Sequence, residues 1–232
     1  MTMFLAIKDI TKIYQHKDGA VKALNNVTLQ VSKGDFVTIT GASGSGKTTL
    51  LLTLGGLIQP TAGSMHFEGR SINLKNDSDL AKHRKLHIGF VMQHFALVPY
   101  LTASENILLA LNNSELNRQE QQLRSKELMH LVSLDHRQQH YPRQLSAGQQ
   151  QRVAIARALA NNPAMILADE PTGNLDPVLA MEIMDTLREV NRTYGATIIM
   201  VTHSTEAAAY GTRRLQMERG SVAYSDSQSE SL

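Results

Sequence analysis

The run Gly41-Ala-Ser-Gly-Ser-Gly46-Lys47-Thr48 carries the most specific chemistry in the chain. It fills the pattern Gly-x-x-x-x-Gly-Lys-Ser/Thr, with a β-branched stretch, Phe36–Thr40, before it and a helix-forming stretch, Thr49–Leu57, after it. Glycines at Gly41, Gly44 and Gly46 let the backbone N–H groups of Gly41, Ala42, Ser43, Gly44, Ser45, Gly46, Lys47, Thr48 and Thr49 wrap an anion without Cβ clashes. The helix behind adds the positive end of its dipole. Lys47 can reach the outer phosphates of a nucleotide, and the Thr48 hydroxyl can ligate Mg²⁺. A flexible Gly/Ser turn is the plain alternative, and the complete motif in its strand-to-helix setting argues against it. A second group, Met165-Ile-Leu-Ala-Asp169-Glu170, is an apolar run ending in two acids. It places two carboxylates at the tip of a buried strand, where Asp169 suits a role linked to Mg²⁺ and Glu170 suits a general base on an attacking water. Alone, such a pair serves equally well to cap a helix; beside a phosphate loop the catalytic role gains weight.

A phosphate loop is shared by kinases, small GTPases, helicases and transport ATPases. Leu145-Ser-Ala-Gly-Gln149, followed by Gln150, Gln151 and Arg152 at the head of a long helical run, narrows the choice. It resembles the LSGGQ signature of ABC-type ATPases, with Ala147 where that pattern has glycine. The resemblance extends in family order over residues 3 to about 224. It implies that Gln93 is the glutamine that senses the nucleotide and joins Thr48 and Asp169 at the metal. It also implies that Asn174-Leu175-Asp176 follows as the next loop, that His203 senses the γ-phosphate beside Glu170, and that Tyr14 stacks on adenine. Each residue has a plainer use: Ser146 caps its helix, His203 ends a strand, and Tyr14 fills a core. A capped helix start with Gly148 and Gln149 close by is also an anion site, and the resemblance makes Ser146, Gly148 and Gln149 the grip on a nucleotide bound by a second chain.

The elements that must position these groups follow from periodicity. Met3–Ile10 and Val21–Val31 read as strands around a charged turn, His16–Gly19, and a further strand covers Ser64–Glu68. The pattern is helical from Leu101 to about Leu159. Then come a strand at Ala164–Ala168, a helix at Pro177–Val190, a strand at Thr197–Val201, a short helix at Thr205–Ala209 and strands at Arg214–Met217 and Val222–Tyr224. Strand–helix alternation around a phosphate motif predicts an α/β fold with a mainly parallel core sheet and the site at the strands' C-terminal ends. The same reading gives an N-terminal antiparallel β part and a helical subdomain, about 95–160, inserted into a domain of residues 1–224. The polar tail, residues 225–232, is expected to be disordered.

Composition narrows the classes. At 232 residues the chain fits one larger α/β unit, and without cysteine it offers no zinc ribbon, iron–sulfur site or thiol nucleophile. With 23 Lys+Arg against 21 Asp+Glu the net charge is +2, which does not suggest a nucleic-acid surface. No apolar run reaches the ~18–20 residues needed to span a bilayer, and the N-terminus lacks the charged leader of a signal peptide, so a membrane role is expected to come through a partner. His83, His87 and His94 have no acidic or cysteine partner at ligand spacing and are expected on the solvated surface.

Phe36–Leu50 with Leu54-Gly-Gly-Leu57, Phe95–Ile107 and Pro171–Asp176 look like the bacterial lipoprotein-release, macrolide-export and cell-division group within the family. That resemblance implies an ATPase that uses ATP and Mg²⁺, dimerises head to tail on ATP so that each signature covers the other chain's nucleotide, and drives a separate membrane permease from the cytoplasmic face of the inner membrane. DNA-repair and chromosome-structuring members carry coiled coils or zinc modules between the motifs, and translation-type members carry two cassettes. Here 98 residues separate Lys47 from Ser146, with no heptad run and one cassette. The apolar stretch Phe95–Leu101 lies between Gln93 and a helix started by the capping pattern Thr102…Glu105. It reads as a presented loop on which a permease helix would dock, with burial in the core as the alternative for any single side chain.

Overall fold

The computed structural model describes residues 3–17, 19–112 and 114–224. The chain opens with a hairpin of β1 (Leu5–His16) and β2 (Gly19–Val31), and β3 (Phe36–Thr40) then runs through the phosphate loop into α1 (Lys47–Leu54). β4 (Ala62–Phe67) and β5 (Arg70–Ile72) return to the hairpin, and α2 (Asp77–His87) leads into β6 (Ile88–Val91). Three helices follow without an intervening strand: α3 (Ala103–Leu111), α4 (Arg118–Leu131) and α5 (Ala147–Ala158). The chain continues through β7 (Met165–Asp169), α6 (Pro177–Tyr194), β8 (Thr197–Val201), α7 (Thr205–Ala208), β9 (Arg213–Glu218) and β10 (Ser221–Tyr224).

One sheet is antiparallel, in the order β2-β1-β4-β5; the other has the order β10-β9-β3-β8-β7-β6 and is parallel except for the β9–β10 hairpin. The pleat divides the core in two. Met165 and Leu167 of β7 and Ile199 and Val201 of β8 pack with the antiparallel sheet and with Leu50, Leu51 and Leu54 of α1. Their neighbours Ile166, Ala168, Ile198 and Met200 pack with α3, α4, α5 and α6 on the opposite side. Strands buried on both faces are continuously apolar, which is why β3, β7 and β8 stand out in the sequence. Both expected sheets and the helical segment between β6 and β7 are present; residues 225–232 lie outside the described residues.

β5, α2 and β6 are elements that the periodicity did not anticipate. α2 buries only Leu80 and His83, so its apolar stripe is faint. It is instead fixed by its ends: the Asn76 side chain accepts from the N–H groups of Ser78 and Asp79, acids fill the first turn and bases the last. The expectation that His83 is solvated is wrong. His83 is 2% exposed, its ring stands edge-on to Phe67 at 4.9 Å, and Nε2 donates to the Leu54 carbonyl at 3.2 Å. Burial pushes its pKa down to about 4, so the ring is neutral. His87 is half-buried against the same phenylalanine, and burial lowers its pKa too, whereas His94 is exposed as expected. Three residues apart, Leu80 and His83 share a helix face, so helix geometry, not ligand spacing, decides where this histidine goes.

Candidate functional site

β3 delivers the chain to a loop that only glycine can build. Gly46 has φ +103, and a Cβ there would lie 2.3 Å from the Ala23 carbonyl oxygen of β2. At Gly41 a Cβ would lie 2.2 Å from the Met217 carbonyl of β9. The loop is thus threaded between two strands, and α1 starts from Gly46 without a side-chain cap. Among the described residues, the N–H groups of Lys47, Thr48 and Thr49 have no acceptor, and the Ser45 hydroxyl is buried without a partner. Backbone donors left open at a helix start are what an anion requires. Lys47, buried, lays its ammonium on the Gly41 and Ala42 carbonyls at 2.8 and 2.9 Å.

The tips of β7 and β8 bring the acids to this loop. Thr48 Oγ1 donates to Asp169 Oδ1 at 3.0 Å. Burial raises the Asp169 pKa; the Thr48 hydrogen bond opposes this, and Glu170's charge adds to it. Glu170 sits in the left-handed region at φ +45, held by its N–H to the Val201 carbonyl at 3.0 Å. Its Oε2 lies 3.0 Å from His203 Nδ1 and accepts the His203 backbone N–H at 3.2 Å. Glu170 is mostly enclosed, at 14% exposure, while His203 is 67% exposed. Gly173 donates to the Glu170 carbonyl, and a Cβ on it would lie 3.0 Å from Gln93 Nε2. The next residue, Asn174, donates to the Gln93 carbonyl at 3.0 Å.

Ser43, Gly44, Gly46–Thr49, Gln93, Glu170 and His203 line one cavity of about 710 Å³. Gly41, Ala42, Ser45 and Asp169 are not among its lining residues. Two further segments that the sequence reading missed complete it: Val21–Ala23 of β2 and the turn Arg219–Gly220. Gly220 donates to the Ser45 carbonyl at 2.9 Å and accepts from the Asn25 N–H at 2.8 Å, pinning the turn to the phosphate loop. An Arg-Gly pair between two strands does signal a hairpin turn, but only the fold reveals where that turn lands. Tyr14 does not line the cavity; it pairs with Val21, which does.

Ser146, Gly148 and Gln149 lie apart from this cavity. Ser146 caps α5 in a reciprocal box: its hydroxyl accepts from the Gln149 N–H at 3.3 Å, and Gln149 Oε1 accepts from the Ser146 N–H at 3.1 Å. Gly148 is buried, and a Cβ on it would meet Leu179 Cδ2 at 3.1 Å, so its first use is the close packing of α5 on α6. Ser146 itself is exposed. One chain therefore holds a phosphate cradle with two acids and a histidine, and carries its second helix start on a different surface. Of the apolar stretch after Gln93, Leu97 packs on the core, while Tyr100 is 77% exposed.

Chemically, the cavity combines an anion cradle, an oxygen pair fit for a hard cation and an enclosed carboxylate paired with a histidine. Residues 24–173 match the family described as ABC transporter. The chain is 41% identical over 222 residues to the lipoprotein-releasing system ATP-binding protein LolD of Geobacter metallireducens, covering 96% of this chain and 99% of that one. It is likewise 41% identical over 222 residues to the macrolide export ATP-binding/permease protein MacB of Shigella flexneri, covering 96% of this chain and 34% of that longer protein. A dimeric ATP-binding cassette of Methanocaldococcus jannaschii, solved in a post-hydrolysis state with ADP and Pi, superposes with a TM-score of 0.86 at 42% identity, covering 94% of this chain and 96% of that one. Phosphate loop, signature and fold thus lead to one assignment: the chain belongs to the ATP-binding cassettes of the ABC transporter family.

Proposed function

We propose that this cassette hydrolyses ATP in the 710 Å³ cavity and drives a separate membrane permease through an ATP-dependent homodimer. The observation that carries the reading is the convergence of the open α1 N-terminus with Thr48 and the Glu170–His203 pair on one cavity, with Asp169 hydrogen-bonded to Thr48. The unpartnered N–H groups of Lys47, Thr48 and Thr49 and the Lys47 ammonium bind the phosphates. Glu170 accepts a proton from water as the water oxygen bonds to the γ-phosphorus and the bond to the bridging oxygen breaks, giving ADP and phosphate. His203 orients the Glu170 carboxylate and faces the same cavity, where it senses the γ-phosphate.

Thr48 Oγ1 and Asp169 Oδ1, 3.0 Å apart, fit Mg²⁺: both are oxygen donors, and among the described residues no cluster of three or more His, Cys, Asp or Glu offers an all-protein cage. Thr48, Asp169 and Gln93 would hold the ion, which when bound neutralises charge on the phosphate oxygens. A cation there also explains why a buried carboxylate with a raised pKa is kept. Ser146, Gly148 and Gln149 grip the nucleotide of a second copy, so each interface contains ATP and is released when hydrolysis removes the γ-phosphate.

The likeness to LolD and MacB supports mechanical work by a membrane complex as the output. Among the described residues no helix is long and apolar enough to cross a membrane, so this reading places the cassette peripherally, at the cytoplasmic face of the inner membrane, bound to permease subunits. Tyr100, exposed on the loop that follows Gln93, marks the docking surface.

The test is Glu170→Gln. Phosphate release should fall by about 10²–10⁴, the usual weight of a general base, while ATP still binds and light scattering shows the mass doubling when ATP is added. Near-normal phosphate release removes Glu170 from the role, and a mass unmoved by saturating ATP removes the dimer.

A further inference from the structure

The helix that begins at the signature ends by holding the backbone that carries Gln93. Arg157, in the last turn of α5, donates from Nη2 to the Phe95 carbonyl at 3.0 Å and from Nη1 to the Ala96 carbonyl. Neither acceptor residue is glycine, yet Phe95 has φ +55 and Ala96 φ +49. Two successive left-handed non-glycine residues persist only where their surroundings enforce them. The segment is held on both flanks as well. Asn174 takes the Gln93 carbonyl, and buried Asn106 of α3 bonds the N–H and C=O of Val98 and the carbonyl of Leu101. Between these two lie the hydrogen bonds of Arg157, which come from α5.

The ordinary use of an arginine in a last turn is to meet its own helix's terminal carbonyls. Arg157 instead reaches a segment about sixty residues upstream, as the separation of its two acceptors records. It is half-buried, burial lowers its pKa, and among the described residues no carboxylate lies within ion-pair distance of it. A cation taken partly out of water without a counter-ion is retained for a geometric purpose, and the rigid guanidinium fork suits two adjacent carbonyls in a way that a single ammonium does not.

We propose that Arg157 is a positioning residue for ATP hydrolysis: by bridging the Phe95 and Ala96 carbonyls it fixes where Gln93 stands in the nucleotide cavity relative to the helix that starts at Ser146. The proposal rests on the reading of Gln93 as a nucleotide-site residue. It follows that a shift of α5, whose N-terminus meets a second copy, is passed to Gln93 through two hydrogen bonds.

A double-mutant cycle on the full chain tests it, using Gln93→Ala, Arg157→Lys, Arg157→Ala and the combined variants. Arg157→Lys keeps the charge but loses the fork; kcat for ATP should fall about 10- to 100-fold. KM, the affinity for a fluorescent ATP analogue and the thermal midpoint should stay near wild type. In the Gln93→Ala background the same change should cost nothing further, because the residue it acts through is gone. Additive losses in the two backgrounds overturn the proposal, as does wild-type kcat in Arg157→Lys. If Arg157→Ala fails to fold, the lysine variant still completes the cycle. Wild-type hydrolysis by Gln93→Ala overturns the Gln93 reading itself, a result distinct from additivity with an active contribution from Gln93.

Discussion

Helices α1 and α5 are both proposed to meet phosphate at their N-termini, and they are built in opposite ways. α1 starts from Gly46, which has no side chain to offer, and leaves three successive N–H groups without acceptors behind a buried lysine. α5 starts from Ser146, whose reciprocal box with Gln149 satisfies the N–H groups of both residues and, among the described residues, leaves those of Ala147 and Gly148 open. An open terminus inside a walled cavity is a site that one chain completes for itself. A terminus closed by its own cap and exposed on the surface is stable alone and becomes a phosphate site only when another surface is brought to it. The far ends differ too: His83 and Arg84 of α2 meet the Leu54 and Gly56 carbonyls at the end of α1, while Arg157 turns away from the end of α5 to hold Phe95 and Ala96. Thus α1 is anchored as part of the cradle, and the proposal for Arg157 makes α5 a lever between two sites.

The comparison breaks most visibly at Gly46. A Cβ there meets the Ala23 carbonyl at 2.3 Å in a conformation that L side chains rarely adopt, so Gly46→Ala should abolish ATP binding, measured with a fluorescent analogue, and lower stability in urea by about 3 kcal/mol. If the variant binds ATP normally, the loop is not the rigid cradle described. The equivalent change at Gly148 meets only the flexible end of Leu179 at 3.1 Å, a contact that side-chain movement can relieve.

How legible each helix was follows from the same contrast. The cradle is written locally: loop, strand before and helix after are contiguous, so Gly41–Thr49 and the β3 boundaries needed no tertiary information. Asp169 and Glu170 were legible because a doubly buried strand is apolar throughout and ends abruptly in acids. Val21–Ala23, Gly220 and Arg157 were not, because each acts on a segment distant in sequence, through contacts that the fold alone brings together. His83 was misread for a related reason. Its partner is a backbone carbonyl at the end of α1, and a carbonyl has no side-chain identity to search for.

The anchored end of α1 predicts a pH effect that α5 lacks. His83 titrates near 6.5 when unfolded and at about 4 when folded, so between these values the unfolded chain binds more protons and stability rises with pH. The contribution is complete above about pH 7 and is lost as pH falls, by roughly 2 kcal/mol at pH 5 and about 3 kcal/mol below pH 4. His87, lowered in the same direction, adds to the loss. Asp169, with its raised pKa, acts with the opposite sign. Urea midpoints measured from pH 7.5 to 5 should therefore fall more steeply for wild type than for His83→Leu. Parallel curves would mean that the ring takes up its proton alike in the folded and the unfolded chain, so that burial at the end of α1 does not shift it.

The smallest effect on folding isolates the closed terminus. Ser146→Ala removes the hydroxyl that accepts the Gln149 N–H, a cap loss that costs about 1 kcal/mol. Because Ser146 does not line the cavity, ATP affinity of the single chain should be unchanged. In a Glu170→Gln background, however, ATP-induced dimerisation followed by light scattering should need about 100-fold more protein, because the symmetric dimer loses two hydrogen bonds to charged oxygens, each worth about 10-fold. The two readouts separate the two uses of one side chain. A stability loss with an unmoved dimerisation midpoint makes Ser146 a helix cap and nothing more, while a fall in the single chain's own ATP affinity would put α5 in the same cavity as α1. A stability loss together with weaker dimerisation, at an unchanged ATP affinity of the single chain, is the outcome expected if Ser146, exposed and capping its own helix, meets a phosphate bound by the other copy.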